Sequence, residues 1–142
     1  MGIENNLNNE KESSKKHFLN LVQIAGADGV INKSELELLH SMGKHLGFSD
    51  SEIDEYIQKR DSKKYTPPIE LVERFHLLYD VVSMALADGV LFKNEMLMIK
   101  QLAAASGFND HDSEHIINLL INGIKYKKTE EELFLSFKQR KV

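Results

Sequence analysis

The chain has 142 residues, no cysteine and a net charge of −4, from 18 basic and 22 acidic side chains. This length suits one domain with a core of its own. Without cysteine there can be no disulfide, thiol catalysis or cysteine-ligated metal. The acidic balance argues against nucleic acid as a partner, since sequence-independent binders carry a basic excess. No apolar run approaches the roughly 20 residues that cross a bilayer, and the first twenty residues are polar. We therefore expect a cytoplasmic protein without direct membrane insertion.

The amino-terminal segment differs in composition from the rest of the chain. Residues 1–12 are rich in Asn and Glu and poor in large apolar side chains, which predicts a disordered arm. A single domain is expected over 13–142, and Ser13 or Ser14 is predicted to cap its first helix.

From this point the apolar spacing is helical. The first helix is predicted to stop at Asp28-Gly29, with Gly29 in a left-handed turn. The clearest break is 61–68, which ends in two prolines. Further helices are predicted at 33–47, 49–60, 69–88 with a break near His76, 93–106, 111–125 and 129–140. No stretch alternates for long enough to form a sheet, so the sequence predicts an all-α fold of about seven helices.

The sequence also contains an internal repeat. The segments that begin at Ile24 and Met84, sixty residues apart, share A-x-A-D-G-V and the Lys and Glu that follow. We predict two three-helix repeats, about 14–60 and 69–125, packed around a pseudo-two-fold axis, with a C-terminal helix at about 129–140.

This duplicated corner, A-D-G-V followed by a glutamate, resembles the TerB-like, tellurite-resistance family, which includes a domain that precedes the J-domain in some DnaJ-type co-chaperones. The resemblance covers roughly residues 14–125. It implies an all-helical, non-enzymatic, cytosolic component of a stress or metal-resistance system. It also implies a divalent-cation site at the motif acids, which in this chain are Asp28, Glu35, Asp88 and Glu95.

The four motif acids continue apolar helical stripes, and an acid at the edge of a core needs a partner. If they bind a metal, oxygen ligands favour Ca²⁺, Mg²⁺ or Mn²⁺. The alternative partners are backbone N–H groups and the lysine two residues before each glutamate. Asn32 and Glu35 form a capping-box pattern. Phe92 has no side-chain acceptor, yet Glu95 is still present, so a complete box does not account for both glutamates.

The two repeats differ at their surface. Asn32 of the first repeat becomes Phe92 in the second, and Glu37 becomes Leu97. A helix that is apolar on several sides is usually buried, so we expect the second-repeat helix to be central and covered by the C-terminal helix. The alternative is an exposed patch around Phe92 and Leu97 that binds a protein partner or forms a homodimer.

Other candidates are weaker. His111 and His115 have the i, i+4 spacing of a transition-metal pair, but an exposed polar helix start explains them without a metal. No catalytic motif is present, so we expect no enzyme activity. The sequence thus predicts a non-enzymatic cation-binding sensor or scaffold in a stress response. The alternative is a protein-interaction module whose acids are purely structural.

Overall fold

The computed structural model describes residues 2–26, 29–60, 65–86 and 91–140, which form seven helices and no strand. The all-α prediction is therefore confirmed for these residues. In chain order the helices are α1 (Gly2–Ala25), α2 (Lys33–His45), α3 (Asp50–Gln58), α4 (Leu71–Ala85), α5 (Lys93–Ala105), α6 (Asp110–Lys125) and α7 (Glu130–Arg140). None of the helices in this part of the chain is both long and apolar enough to cross a membrane.

The chain divides into two compact units, Met1–Tyr65 and Thr66–Val142. The boundary lies within the proline-containing segment that the sequence identifies as its clearest break. Unit 1 contains α1 to α3, and unit 2 contains α4 to α7. The pseudo-two-fold relation between the repeats stays a prediction.

The sixty-residue repeat is visible in the helix boundaries. α2 and α5 begin at equivalent lysines and end at equivalent positions, and α1 and α4 end at equivalent alanines. Gly47 and Gly107, which follow α2 and α5, have φ angles of 96° and 95°. At each turn the N–H of the following phenylalanine donates to a carbonyl five residues earlier, as in a Schellman motif. Gly29 also has a positive φ, 91°, which confirms its predicted left-handed turn.

In unit 1, α2 packs against both α1 and α3. Three aromatic rings fill the space between these helices, with centroids 5.4 to 6.1 Å apart: Phe18, Phe48 and Tyr56. Gly43 allows α2 and α3 to approach closely, because a Cβ there would lie 2.6 Å from Ile53 Cδ1.

In unit 2, α4, α5 and α6 pack against one another, and α7 packs against α4 and α6. The phenylalanines of α7 complete a second aromatic cluster, whose members are Phe75, Phe108, Phe134 and Phe137. Phe108 is the repeat counterpart of Phe48, but its ring partner in unit 2 comes from α7, which the first repeat does not have.

Two predicted boundaries are wrong. α1 begins at Gly2, so Ser13 and Ser14 lie inside the helix and not at its start, and the segment predicted as a disordered arm is helical from Gly2 onward. Starting a helix is costly, but extending one that has already formed adds one backbone hydrogen bond for each residue that is ordered. The part of α1 that packs in the core can therefore be extended toward the N-terminus at little cost. α4 is also continuous through His76, where a break was predicted.

Candidate functional site

The motif glutamates lie at equivalent helix starts. In unit 1 the Asn32 side chain accepts a hydrogen bond from the backbone N–H of Glu35 at 2.8 Å. The Glu35 carboxylate in turn accepts from the backbone N–H of Asn32 at 3.1 Å, which completes the predicted capping box. In unit 2 the Glu95 carboxylate accepts from the backbone N–H of Phe92 at 2.9 Å. Half of the capping arrangement is therefore retained without a side-chain acceptor, and it gives both glutamates a structural role.

The burial of the two glutamates differs. Glu95 has no solvent exposure at all, whereas Glu35 is half-buried. A fully buried carboxylate is stable only with hydrogen-bond, charge or metal partners. Asp28 and Asp88, the other two acids of the predicted cation site, lie outside the described residues. The four-carboxylate site therefore stays a prediction.

The outer face of α5 carries the predicted partner residues. Phe92 immediately precedes the helix and is 57% exposed, and Leu97 in its second turn is 53% exposed. Lys93, Gln101 and Ala104 are exposed at helical spacing on either side of Leu97. We call the set Phe92, Lys93, Leu97, Gln101 and Ala104 the α5 face. Its counterparts in unit 1 include the exposed, polar Asn32 and Glu37.

The expectation that the C-terminal helix covers α5 is wrong. Leu133 and Phe137 of α7 are buried, but α7 packs against α4 and α6. The opposite side of α5 faces inward, through Met98, Ile99 and Leu102. Because α5 is buried on that side and open on the α5 face, Leu97 is not a core residue.

A second polar cluster, which the sequence did not indicate, joins α4 to α7 in unit 2. His76 Nε2 lies 3.1 Å from Asp80 Oδ2, one turn further along α4. His76 Nδ1 lies 2.8 Å from Glu130 Oε1 in the first turn of α7. Partial burial lowers the pKa of His76, but the hydrogen bond to Glu130 and the charges of both carboxylates outweigh this effect. The pKa of His76 is therefore raised, which favours an imidazolium between two carboxylates.

Unit 1 has a similar bridge between α2 and α3. His40 Nδ1 lies 2.8 Å from Asp50 Oδ1, and His40 Nε2 lies 2.7 Å from Asp54 Oδ1. The hydrogen bond to Asp50 is the main cause of a raised pKa for His40; burial opposes it, and Asp54 adds to it. The same bond is the main cause of a lowered pKa for Asp50, which also pairs with Lys44 at 3.3 Å.

These two bridges differ in one respect that matters for chemistry. One ligand atom from each of His76, Asp80 and Glu130 can be chosen so that all three lie within 4.8 Å of one another, close enough to share a metal ion. The i, i+4 spacing of His76 and Asp80 was a local signal that sequence reasoning missed. Glu130, 54 residues further along the chain, gave no such signal.

The other histidine pair has a structural explanation. His111 is exposed in the first turn of α6, as the polar helix start predicts, whereas His115 is half-buried. The His115 ring stacks on Phe137 with the centroids 6.3 Å apart and the planes at 22°.

Comparisons with known proteins give no identification. No family model matches the chain, no curated protein matches its sequence, and no solved structure matches it.

Proposed function

We propose that this chain is a non-enzymatic, TerB-like protein-interaction module that binds its partner through the α5 face. The observation that carries the proposal is the exposure of Phe92 and Leu97 on a helix whose other side is packed in the core. Exposed apolar patches mark interaction sites when they are large. The TerB-like resemblance supports a place in a cytoplasmic stress-response assembly.

The charge of α5 indicates the kind of partner. Its charged residues are Lys93, Glu95 and Lys100, and the only acid among them is fully buried. Lys93 is exposed and Lys100 half-buried, so α5 presents positive charge beside apolar surface although the chain as a whole is acidic. The occupant we propose is an amphipathic helix of another protein with acidic residues along the edge of its apolar stripe. A symmetric dimer through α5 would instead bring the lysines of both copies together.

The binding test uses two synthetic amphipathic helices with the same leucine stripe, one flanked by glutamates and the other by lysines. We expect the glutamate-flanked peptide to bind at least about tenfold more tightly, measured by fluorescence anisotropy at two salt concentrations. Amide chemical-shift changes should concentrate on α5. Equal affinity of the two peptides, or shifts confined to other helices, would contradict the proposal.

Variants locate the interaction. The double substitution Phe92→Asn and Leu97→Glu gives the second repeat the residues that the first repeat has at these positions, and we expect it to lose most of the peptide binding. Leu135→Glu is the matched control, because Leu135 on α7 is 56% exposed. Size-exclusion chromatography of wild type and Leu97→Glu tests the competing occupant. If the wild type is a dimer and Leu97→Glu is a folded monomer, the occupant of the α5 face is a second copy of this chain and not a partner helix.

A second candidate function is divalent-cation binding at Asp28, Glu35, Asp88 and Glu95. The observation that favours it is the complete burial of the Glu95 carboxylate. If Ca²⁺, Mg²⁺ or Mn²⁺ binds there, an ion at 100 times its Kd should raise the free energy of unfolding by about 2.7 kcal/mol over the value in EDTA. Asp28→Asn with Asp88→Asn should abolish that gain, and Glu37→Gln, at an exposed acid, should not. An unchanged melting temperature in all three ions would refute this function.

A further inference from the structure

We propose that His76, Asp80 and Glu130 form a binding site for a zinc-class transition-metal ion that joins α4 to α7. This site is separate from the acids of the repeated corner and uses different chemistry. The corner offers carboxylates alone, whereas this cluster combines an imidazole nitrogen with two carboxylate oxygens. Imidazole ligands suit Zn²⁺ and its neighbours, and Ca²⁺ and Mg²⁺ prefer oxygen.

The ligand atoms of the three residues lie close together. Zn²⁺ binds nitrogen and carboxylate oxygen at about 2.0–2.2 Å, so the ligands of a tetrahedral ion lie about 3.4 Å apart. Asp80 Oδ2 lies 3.1 Å from His76 Nε2, and Glu130 Oε1 lies 2.8 Å from the other ring nitrogen, Nδ1. One ligand atom from each residue fits within 4.8 Å of the other two. To share one ion, one carboxylate must turn toward the ring nitrogen that the other already faces, and water can take the fourth position.

Two packed helices of unit 2 hold the ligands, α4 with His76 and Asp80 and α7 with Glu130. His76 and Asp80 are four residues apart on α4, so they share one side of the helix. The burial of Leu133 and Phe137 fixes α7 against the rest of unit 2, which places Glu130 opposite them. The side chains of Asp80 and Glu130 are only 23% and 29% exposed, whereas that of His76 is 55% exposed. The carboxylates are therefore partly immobilised, and the imidazole is open to an ion from solvent.

The unit 1 bridge provides an internal comparison. His40 is also held between two carboxylates, but among the described residues the geometry that could hold an ion is found at the His76 cluster. His40 thus joins two helices through its carboxylate partners, whereas His76 and its two carboxylates also have ligand atoms close enough together to share an ion. This contrast makes His40→Gln the matched control for His76→Gln.

The experiment titrates Zn²⁺ into the full chain, first freed of metal with EDTA, and follows binding by calorimetry. We expect one tight equivalent of Zn²⁺ and a higher melting temperature, with no comparable effect of Ca²⁺ or Mg²⁺ on this site. Co²⁺ in place of Zn²⁺ should give the visible absorption of a four-coordinate ion. His76→Gln and, separately, Glu130→Gln should each weaken Zn²⁺ binding by at least about tenfold. Glutamine at position 76 keeps a hydrogen-bond donor between the carboxylates, and circular dichroism in EDTA checks the fold of each variant.

Three controls separate this site from the other metal candidates. His40→Gln, the pair His111→Gln with His115→Gln, and the pair Asp28→Asn with Asp88→Asn should each leave the Zn²⁺ affinity within about twofold of wild type. The proposal is overturned if the wild type binds no Zn²⁺, if His76→Gln and Glu130→Gln bind it as tightly as wild type, or if the loss occurs in the His111 and His115 variant instead.

Discussion

α2 and α5 have the same length, the same starting lysine and the same glycine turn after their last residue, but they differ in what they present outward. At two equivalent positions the first repeat shows solvent the polar side chains of Asn32 and Glu37, whereas the second shows Phe92 and Leu97. The residues that set the backbone are shared between the repeats, and the residues that set the surface are not. The two repeats therefore share a helical framework but differ in the side chains that they expose at these two positions.

The largest effects should come from the aromatic clusters, which test whether the repeats need the same core contacts. Phe48→Ala and Phe108→Ala should each lower the free energy of unfolding by about 3–5 kcal/mol in urea titrations, because both side chains are buried. The coupling energy between Phe108→Ala and Phe137→Ala should be about 0.5–1.5 kcal/mol, as for Phe48→Ala with Tyr56→Ala. If the losses of unfolding free energy from Phe108→Ala and Phe137→Ala are strictly additive, the two rings do not stabilise each other, and α7 does not complete the core of the second repeat.

The next largest effects concern the two close helix contacts that depend on glycine. Gly43→Ala and Gly123→Ala should each destabilise the protein by about 1–3 kcal/mol, because the added Cβ overlaps the fully buried Ile53 or Leu133. The cost should exceed the gain in helix propensity, about 1 kcal/mol. Thermal unfolding measures both. Gly123→Ala should be the worse of the two, since its Cβ would meet three atoms of Leu133. A stabilising Gly123→Ala would mean that α7 can move away at little cost.

Changing the capping residues of α2 and α5 should have a smaller effect on stability. Phe92→Asn supplies the acceptor that this helix start lacks, so we expect it to raise the free energy of unfolding by about 1 kcal/mol. Asn32→Ala removes the acceptor from α2 and should lower it by a similar amount. Chemical denaturation of both variants measures these changes in the free energy of unfolding. If Phe92→Asn is destabilising, the phenylalanine contributes more to the fold than its exposure indicates.

The smallest effect is the pH dependence of the His40 bridge. Because the pKa of His40 is raised, its stabilisation is complete below about pH 6.5, the ordinary histidine value, and is lost as the pH rises through the folded-state value. Because the pKa of Asp50 is lowered, its share is lost only as the pH falls through that depressed value. The melting-temperature difference between wild type and His40→Gln should therefore be larger at pH 5.5 than at pH 9.

The groups that face His40 are Asp50 and Asp54 from α3, and Lys44 pairs with the first of these. Asp54→Asn should reduce the same difference without reversing its sign. A difference that grows between pH 5.5 and pH 9 would show that the neutral ring, not the imidazolium, stabilises the bridge.

Local chemistry made most helix boundaries predictable. The capping patterns that begin at Asn32, Ser49 and Thr129 each start a helix where the sequence predicts one. Side chains three residues from a cap are close in any helix, so these signals do not depend on the rest of the fold. The sequence does not predict that α4 is continuous through His76. Tertiary packing of its buried side, which includes Phe75 and Leu78, stabilises the helix there.

The candidate site was less predictable. Periodicity shows that α5 is apolar on several sides but not which side its neighbours cover, so the sequence leaves open both a covered helix and an exposed patch at Phe92 and Leu97. The contact between His76 and Glu130 depends on where α7 docks, and α7 has no counterpart in the first repeat. The role of Glu95 was partly visible, because its spacing from Phe92 is that of a capping glutamate even without a side-chain acceptor at the cap.

The constant sixty-residue register between α2 and α5 also makes the two segments interchangeable in principle. Because both helices have the same length and leave through the same kind of turn, residues 33–45 and 93–105 can be exchanged in chimeras without changing the chain length. A duplicated segment of this kind gives selection a spare copy. One copy can maintain the fold while the other accumulates substitutions that would be costly in a protein with a single copy.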